Sequence, residues 1–144
     1  GEGMSIYCGG TYVGDTDLER VRNVLDAVGI CLQAPEDLMD AVTALSGTGP
    51  AYVFYTIEVM IESGIEMGMS REMAEKLVLQ TFFGSALLAM KSELNPTDLR
   101  KEVTSKGGTT DAAISHLKGN NYTKIVIEAI LKARNRSREL GDIN

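Results

Sequence analysis

Histidine, cysteine and tryptophan are scarce in this chain of 144 residues. It contains one histidine, two cysteines and no tryptophan. His116 has no carboxylate or cysteine at a useful spacing, so the sequence supports no Ser-His-Asp or Cys-His pair. We interpret His116 as a helix-surface or interface residue. Cys8 and Cys31 are too few for a disulfide scaffold and lack the spacing of metal ligands. We therefore predict reduced thiols, no metal site and a cytoplasmic protein.

Positive charge is also in short supply. The chain has 14 lysines and arginines against 20 acidic residues, which gives a formal net charge of −6. Nucleic acid is excluded as a main partner, because a phosphate backbone requires a basic surface. Four basic residues nevertheless cluster near the C-terminus, and we interpret them as a solvated helix end rather than a nucleic-acid patch. They are Lys132, Arg134, Arg136 and Arg138.

No long hydrophobic run in the sequence is free of charge. The most apolar stretch, residues 51–69, contains Glu58, Glu62 and Glu66. Three carboxylates argue against a membrane-spanning helix, and their spacing of four places them on one stripe of a helix. We predict no membrane partner here, and a helix that is mostly buried with one solvated edge.

The first part of the chain has the pattern of a β-α-β unit. Short strands are predicted over residues 4–10 and 30–34, with an amphipathic helix over 15–28 between them. Gly29 is expected to stop that helix. A unit of this size cannot bury a sheet by itself and normally belongs to a larger α/β layer.

The remainder of the chain is predicted to be wholly helical. The segment 46–50 contains Gly-x-Gly but lacks a third glycine, and Pro50 removes an N–H donor, so we interpret it as a bend between helices rather than a dinucleotide loop. The helices predicted over residues 50–67 and 70–91 are apolar on more than one face, which favours their burial against another subunit. The predicted helices cover residues 35–45, 50–67, 70–91, 96–103, 110–118 and 122–140.

The most informative stretch is residues 102–114, where two glycines and two threonines precede a helical pattern. Backbone N–H groups are free at the start of a helix, and the helix dipole points the same way. Such a loop can bind a carboxylate or a phosphate, and its threonine hydroxyls can hydrogen-bond to the rest of the ligand. A glycine-rich turn with a threonine cap is the plainer alternative.

This stretch resembles the signature of pyrroline-5-carboxylate reductases. The resemblance lies in Pro96-Thr97-Asp98-Leu99, Val103-Thr104-Ser105, Gly107-Gly108-Thr109-Thr110 and Ala113-Ile114, and a second family hallmark matches residues 37–52. The resemblance implies hydride transfer from NADPH or NADH to the C=N carbon of 1-pyrroline-5-carboxylate, which yields L-proline. It also implies a homodimer, which in this family often assembles further into rings, with each active site between a Rossmann domain and the partner's helical domain.

The resemblance implies a fold that is mainly α. Residues 35–144 would form a helical dimerisation and substrate-binding domain, similar to the C-terminal domain of 6-phosphogluconate dehydrogenase. Residues 1–34 would be the last part of a Rossmann domain. Because no strand–Gly-x-Gly-x-x-Gly–helix unit occurs in the sequence, we expect a fragment that dimerises but does not turn over alone.

The resemblance also implies roles for individual residues. Thr110 would hydrogen-bond the ring nitrogen, and backbone N–H groups of the loop from Gly107 to Thr110 would bind the substrate carboxylate. Glu102 matches a cofactor-contacting position that is asparagine in some members, so this carboxylate departs from the pattern and would repel a phosphorylated dinucleotide. The implied substrate-binding residues are Ser105, Gly107, Gly108, Thr109, Thr110, Glu36 and Glu93.

Two other functions fit parts of the sequence. A helical dimerisation module without catalytic activity would need the same apolar helices. A reductase of another imine or keto acid would share the two-domain plan, but the loop with Ser105 is better suited to a small ring carboxylate.

Overall fold

The computed structural model describes residues 2–142 and contains seven α-helices and a two-stranded sheet within them. It divides into two compact units. One comprises the residues up to Pro50 together with those from Glu128 onward, and the other comprises residues 51–127. The predicted class, mainly helical with a small β-α-β unit, is confirmed. The helices are α1 Asp15–Leu25, α2 Met39–Val42, α3 Gly49–Glu66, α4 Arg71–Lys91, α5 Pro96–Glu102, α6 Thr109–Gly119 and α7 Tyr122–Gly141.

Strands β1 (Gly3–Tyr7) and β2 (Gly29–Gln33) form a parallel pair in which Gly3 faces Gly29 and Tyr7 faces Gln33. Gly29 does not stop α1 as predicted, because the helix ends earlier and Gly29 opens β2. Its φ is +157°, and a Cβ there would collide with the backbone of Gly3. Only glycine therefore allows the two strand starts to approach this closely.

The predicted strand over 4–10 is too long, since β1 ends at Tyr7. The last hydrogen bond between the two strands runs from the Ala34 N–H to the Tyr7 carbonyl at 3.0 Å, and the strands separate after it. Gly9 and Gly10 lie beyond the ladder, and the Val13 N–H donates to the Gly10 carbonyl in a turn. Glycine favours such turns over strands.

The predicted helix over 35–45 is not one regular helix. Pro35 is an extended cap, followed by a 3₁₀ turn over Glu36–Leu38, then α2, then a π-helical turn over Thr43–Gly47. The Thr48 N–H and hydroxyl both donate to the Thr43 carbonyl, at 2.8 and 2.9 Å, which widens the turn to five residues. The predicted bend over 46–50 is correspondingly reduced to Thr48.

The C-terminal basic cluster is not simply a solvated helix end. In the first unit, Asp40 of α2 accepts a 2.7 Å hydrogen bond from the Ser137 hydroxyl and lies 3.5 Å from the Arg138 guanidinium. Arg136 pairs with Glu139 on the same helix at 2.8 Å. These contacts tie α7 to α2 across 97 positions of sequence.

Helices α3 and α4 form the core of the second unit. Ile61, Ala74 and Val78 are buried together, and four further apolar residues pack against them: Ile57, Ile65, Met69 and Phe82. The connection between the two helices is short because Gly68, at φ +91°, closes α3, and the Met69 N–H reaches the Gly64 carbonyl at 3.1 Å.

Most apolar side chains of α3 and α4 lie outside this core. Phe54, Tyr55 and Phe83 expose 67%, 68% and 63% of their surface, while Glu58, Glu62 and Glu66 form the predicted solvated stripe. The prediction that α3 is mostly buried is therefore wrong for the isolated chain. Among the described residues, no helix has the length and apolarity needed to cross a bilayer.

We predict that Gly64→Ala destabilises the second unit. A Cβ at Gly64 would lie 2.9 Å from the Ala74 Cβ, closer than two carbon atoms can pack, so the helices must separate. The expected loss is about 1–3 kcal/mol in the free energy of unfolding, measured by urea denaturation at fixed protein concentration.

Gly119→Ala is the matched control, because nothing lies within 4 Å of its Cβ position at the end of α6. It should leave the urea midpoint unchanged or raise it slightly. Equal midpoints for the two variants would show that Gly64 does not limit the approach of α3 to α4.

Candidate functional site

The glycine–threonine loop, residues 103–110, connects α5 to α6 in the second unit. The Gly108 N–H donates to the Ser105 carbonyl at 3.0 Å, which closes a four-residue turn. Gly107 occupies the third position of that turn with φ +74°, the conformation that favours glycine there. Upstream, the Thr104 hydroxyl donates to the Arg100 carbonyl at 2.5 Å and anchors the loop to α5.

Gly108 holds the loop against the start of α6. It is the extended cap residue of that helix, and a Cβ on it would lie 2.6 Å from the Ser105 hydroxyl oxygen and 3.2 Å from the Ser105 carbonyl. Ser105 therefore packs directly on the cap, and Thr109 and Thr110 follow as the first two residues of α6. The structure brings these four predicted site residues together.

Asp111, which the sequence analysis did not single out, shapes the same loop. Its carboxylate accepts the Gly107 N–H at 2.9 Å. The Gly108 N–H is also engaged, whereas the Thr109 and Thr110 N–H groups at the helix start are among the donors for which the described residues supply no acceptor. The position of Asp111, third after the cap, is one from which acidic side chains commonly reach back, and this signal was available in the sequence.

The other two predicted site residues of the second unit, Glu93 and Glu102, lie outside the glycine–threonine loop. Glu102 is the last residue of α5, and Glu93 lies between α4 and α5, and both are exposed. Neither makes a described hydrogen bond to the loop. Their predicted roles, like those of the loop residues, remain predictions.

Glu36 belongs to the first unit, where its position follows from the sheet. Cys8 comes directly after β1, and Glu36 comes three residues after β2. The carboxyl ends of parallel neighbours meet at one edge, and the Cys8 thiol donates a 2.6 Å hydrogen bond to the Glu36 Oε2 atom there. The sequence predicted only a reduced thiol at Cys8, although its place after a parallel strand could have indicated this contact.

The two cysteines are free, as predicted. The hydrogen bond to Glu36 is the main cause that raises the pKa of the Cys8 thiol above its usual value, and partial burial and the carboxylate charge act in the same direction. Asp26, 3.1 Å from the Cys31 sulfur, raises the pKa of Cys31 in the same way. Both thiols therefore stay protonated near neutral pH and act as hydrogen-bond donors rather than nucleophiles.

The described residues do not fit the pyrophosphate of a dinucleotide. The turn after β1 is rich in glycine, but Asp15 and Asp17 occupy the first turn of α1, and the Asp17 carboxylate lies 3.4 Å from the Gly14 N–H. A phosphate at this helix start would meet two carboxylates instead of free N–H groups. No cluster of three or more potential metal ligands occurs in the same described residues.

Comparisons with known proteins agree with this architecture. Residues 36–140 match the family model for pyrroline-5-carboxylate reductase dimerisation. The pyrroline-5-carboxylate reductase of Synechocystis is 40% identical over 141 residues, covering 98% of this chain and 53% of that protein. The Pseudomonas aeruginosa enzyme is 41% identical over 142 residues, covering 98% and 52%. The chain thus spans about half the length of these curated relatives.

A solved structure gives the same result. Plasmodium falciparum pyrroline carboxylate reductase, crystallised with NADP bound, superposes with a TM-score of 0.90 at 37% identity, covering 95% of this chain and 56% of that one. Sequence and fold agree over nearly the whole chain, and the helical part is the dimerisation domain of the family. This chain therefore belongs to the pyrroline-5-carboxylate reductase family.

Proposed function

We propose that the protein containing this chain reduces 1-pyrroline-5-carboxylate to L-proline, with NADPH or NADH as the hydride donor. The observation that carries the proposal is the start of α6, where two free N–H groups and two threonines follow a glycine turn. Membership in the reductase family and the NADP bound in the Plasmodium relative support it further. Within this plan, residues 35–144 are the substrate-binding and dimerisation domain, and residues 1–34 belong to the nucleotide-binding domain.

The substrate carboxylate would bind at the N–H groups of Thr109 and Thr110. These groups point out of the helix start, and the helix dipole adds positive potential there. Gly107 and Gly108 would act through the shape that they impose, since their N–H groups already have acceptors. Ser105, packed on the cap, would contact the substrate beside them.

The Thr110 hydroxyl would hydrogen-bond the ring nitrogen. Reduction places a hydride on the imine carbon and a proton on the nitrogen, so the nitrogen becomes a secondary amine. A fixed hydroxyl can accept an N–H or donate to a lone pair, and so it satisfies the nitrogen in both states. Glu36 and Glu93 would contact the substrate from their own segments, whereas Glu102 would face the cofactor with unfavourable charge.

The natural partner would be a second copy of this chain. The large exposed side chains of α3 and α4, and the family assignment as a dimerisation domain, support a homodimer, and dimers of dimers would extend it. The free thiols support the predicted cytoplasmic location. Since the described residues do not fit a pyrophosphate, we expect the chain alone to dimerise without turning over substrate.

The test compares NADPH oxidation by this chain with that of the protein encoded by its natural reading frame, both supplied with pyrroline-5-carboxylate. Activity in the natural protein alone supports the proposal. If neither oxidises NADPH while the dimer forms, the chain is a dimerisation module without a catalytic role. Activity of the isolated chain would contradict the expectation that it cannot use the cofactor.

Thr110→Ala in the natural protein should lower kcat/KM for the imine about ten- to a thousandfold, because one positioned hydrogen bond to the reacting nitrogen is lost. Thr123→Ala is the matched control. Thr123 is also the second residue of a helix and is exposed. Steady-state kinetics that do not differ between the two variants would remove Thr110 from the mechanism.

Phe83→Glu in this chain should shift the dimer toward the monomer, because it places a charge on an apolar surface that the isolated chain leaves 63% exposed. Light scattering across a dilution series measures the dissociation constant. Arg20→Glu, on α1 of the first unit with its side chain 77% exposed and paired with Asp17, is the control and should leave the constant nearly unchanged. Equal masses for all three proteins would exclude this face from the interface.

A further inference from the structure

The Asp111 carboxylate closes a ring of contacts at the glycine–threonine loop. Its Oδ2 atom accepts the Gly107 N–H at 2.9 Å. Gly107 lies just before the cap residue Gly108, and Asp111 is the third residue of α6. Asp111 is also half-buried, which limits how far its side chain can turn into solvent. The bond therefore ties the segment before the cap to the first turn of the helix.

This bond acts at the most adjustable point of the loop. Gly107 has a φ of +74°, and glycine has little torsional preference that would keep it there. The cap Gly108 makes no side-chain hydrogen bond, although its N–H meets the Ser105 carbonyl. A rotation at Gly107 would move Ser105 away from the cap. Asp111 therefore fixes where Ser105 lies relative to the first N–H groups of α6.

The charge of Asp111 acts against binding at the same place. An acidic side chain in the first turn of a helix occupies the positive potential that an anionic ligand would otherwise use. Asp98, the third residue of α5, carries the same kind of charge, but Lys101 pairs with it at 2.7 Å. Within residues 2–142, no ion pair is described for Asp111. Its charge therefore repels a carboxylate bound at the start of α6.

We propose that Asp111 is a positioning residue with two opposed effects: its oxygen holds the loop in the substrate-binding conformation, and its charge weakens the binding of the substrate carboxylate. The proposal rests on the proposed reductase function. It assigns Asp111 no contact with the substrate and no proton transfer. Because reduction changes the ring nitrogen and leaves the carboxylate as it was, the charge weakens the binding of the imine and of L-proline equally.

Asp111→Asn in the natural protein tests the charge, since the amide oxygen can still accept the Gly107 N–H. At saturating NADPH and low salt, KM for the imine and the inhibition constant of L-proline should fall by the same factor, about two- to fivefold, with little change in kcat. Both gains should shrink in about 0.5 M NaCl, where the Debye length is only about 4 Å. A purely structural role would not give this shared dependence on salt.

Asp111→Ala tests the hydrogen bond, because it removes the same charge as Asp111→Asn and the acceptor as well. Its kcat/KM for the imine should be about three- to tenfold below that of Asp111→Asn. Asp98→Asn is the matched control, since Asp98 is an acid at the same helix position in α5 and its charge is already paired. This control should leave KM, kcat and the L-proline constant unchanged.

Two kinetic results would overturn the proposal. Equal values of kcat/KM in Asp111→Asn and Asp111→Ala would show that the hydrogen bond does not hold the loop for binding. An unchanged KM in Asp111→Asn, or a fall in KM that is as large in high salt as in low salt, would show that the charge does not act on the carboxylate.

A further readout needs no turnover. Hydrogen–deuterium exchange of the natural protein, followed by mass spectrometry of peptides that contain Gly107, reports how often this N–H loses its acceptor. Asp111→Ala should speed exchange at Gly107 about three- to tenfold, whereas Asp111→Asn and Asp98→Asn should not. Equal exchange in the wild-type protein and all three variants would overturn the contact between Asp111 and Gly107.

The two kinds of readout separate this proposal from the proposed function. If the wild-type natural protein does not reduce the imine, the proposed function is wrong, and the role of Asp111 in binding is overturned with it even where exchange still reports the contact. If the wild-type protein is active but the Asp111 variants do not behave as expected, only the role of Asp111 fails.

Discussion

The close approach of α3 and α4 at Gly64 and Ala74 is the contact on which the second unit depends. It seats Ile61 and Val78 in a small core and shortens the connection that Gly68 closes. That core is too small to cover the other faces of these helices, where Phe54 and Phe83 stay largely exposed. Because burying apolar surface is the main favourable term in folding, the proposed homodimer would gain stability by covering these faces.

The proposed site at the start of α6 also carries a cost in stability. Helix α6 begins with a bare glycine cap, and its first N–H groups lack acceptors in the described chain, an arrangement that costs stability unless water or a ligand supplies an acceptor. Asp111 compensates in part by holding Gly107 in its left-handed conformation. In the proposed function, Thr109 and Thr110 are the donors for the substrate carboxylate, so the uncapped helix start would exchange stability for binding.

Local signals predicted most of the helical part. The caps Ser70 and Asn95 accept the N–H groups of Met73 and Asp98, as their side chains indicate, and α4 and α5 begin where these residues place them. The segment after Pro35 was predicted correctly as helical but not in its type, because its apolar spacing is compatible with 3₁₀, α and π turns alike. There the hydrogen bonds of Thr48 to the Thr43 carbonyl decide the outcome.

By itself, the sequence determined the family, the helix order and the glycine–threonine loop, because caps, periodicity and a long motif are all encoded within short stretches of chain. It offered positional signals for Cys8 and Asp111, but it did not fix that Cys8 meets Glu36, that Asp111 takes the Gly107 N–H, or that Ser137 and Arg138 meet Asp40. These contacts depend on strand register, on a turn conformation and on the path of α7. Only the tertiary structure decides them, because each requires two backbones to be positioned to within a hydrogen-bond length.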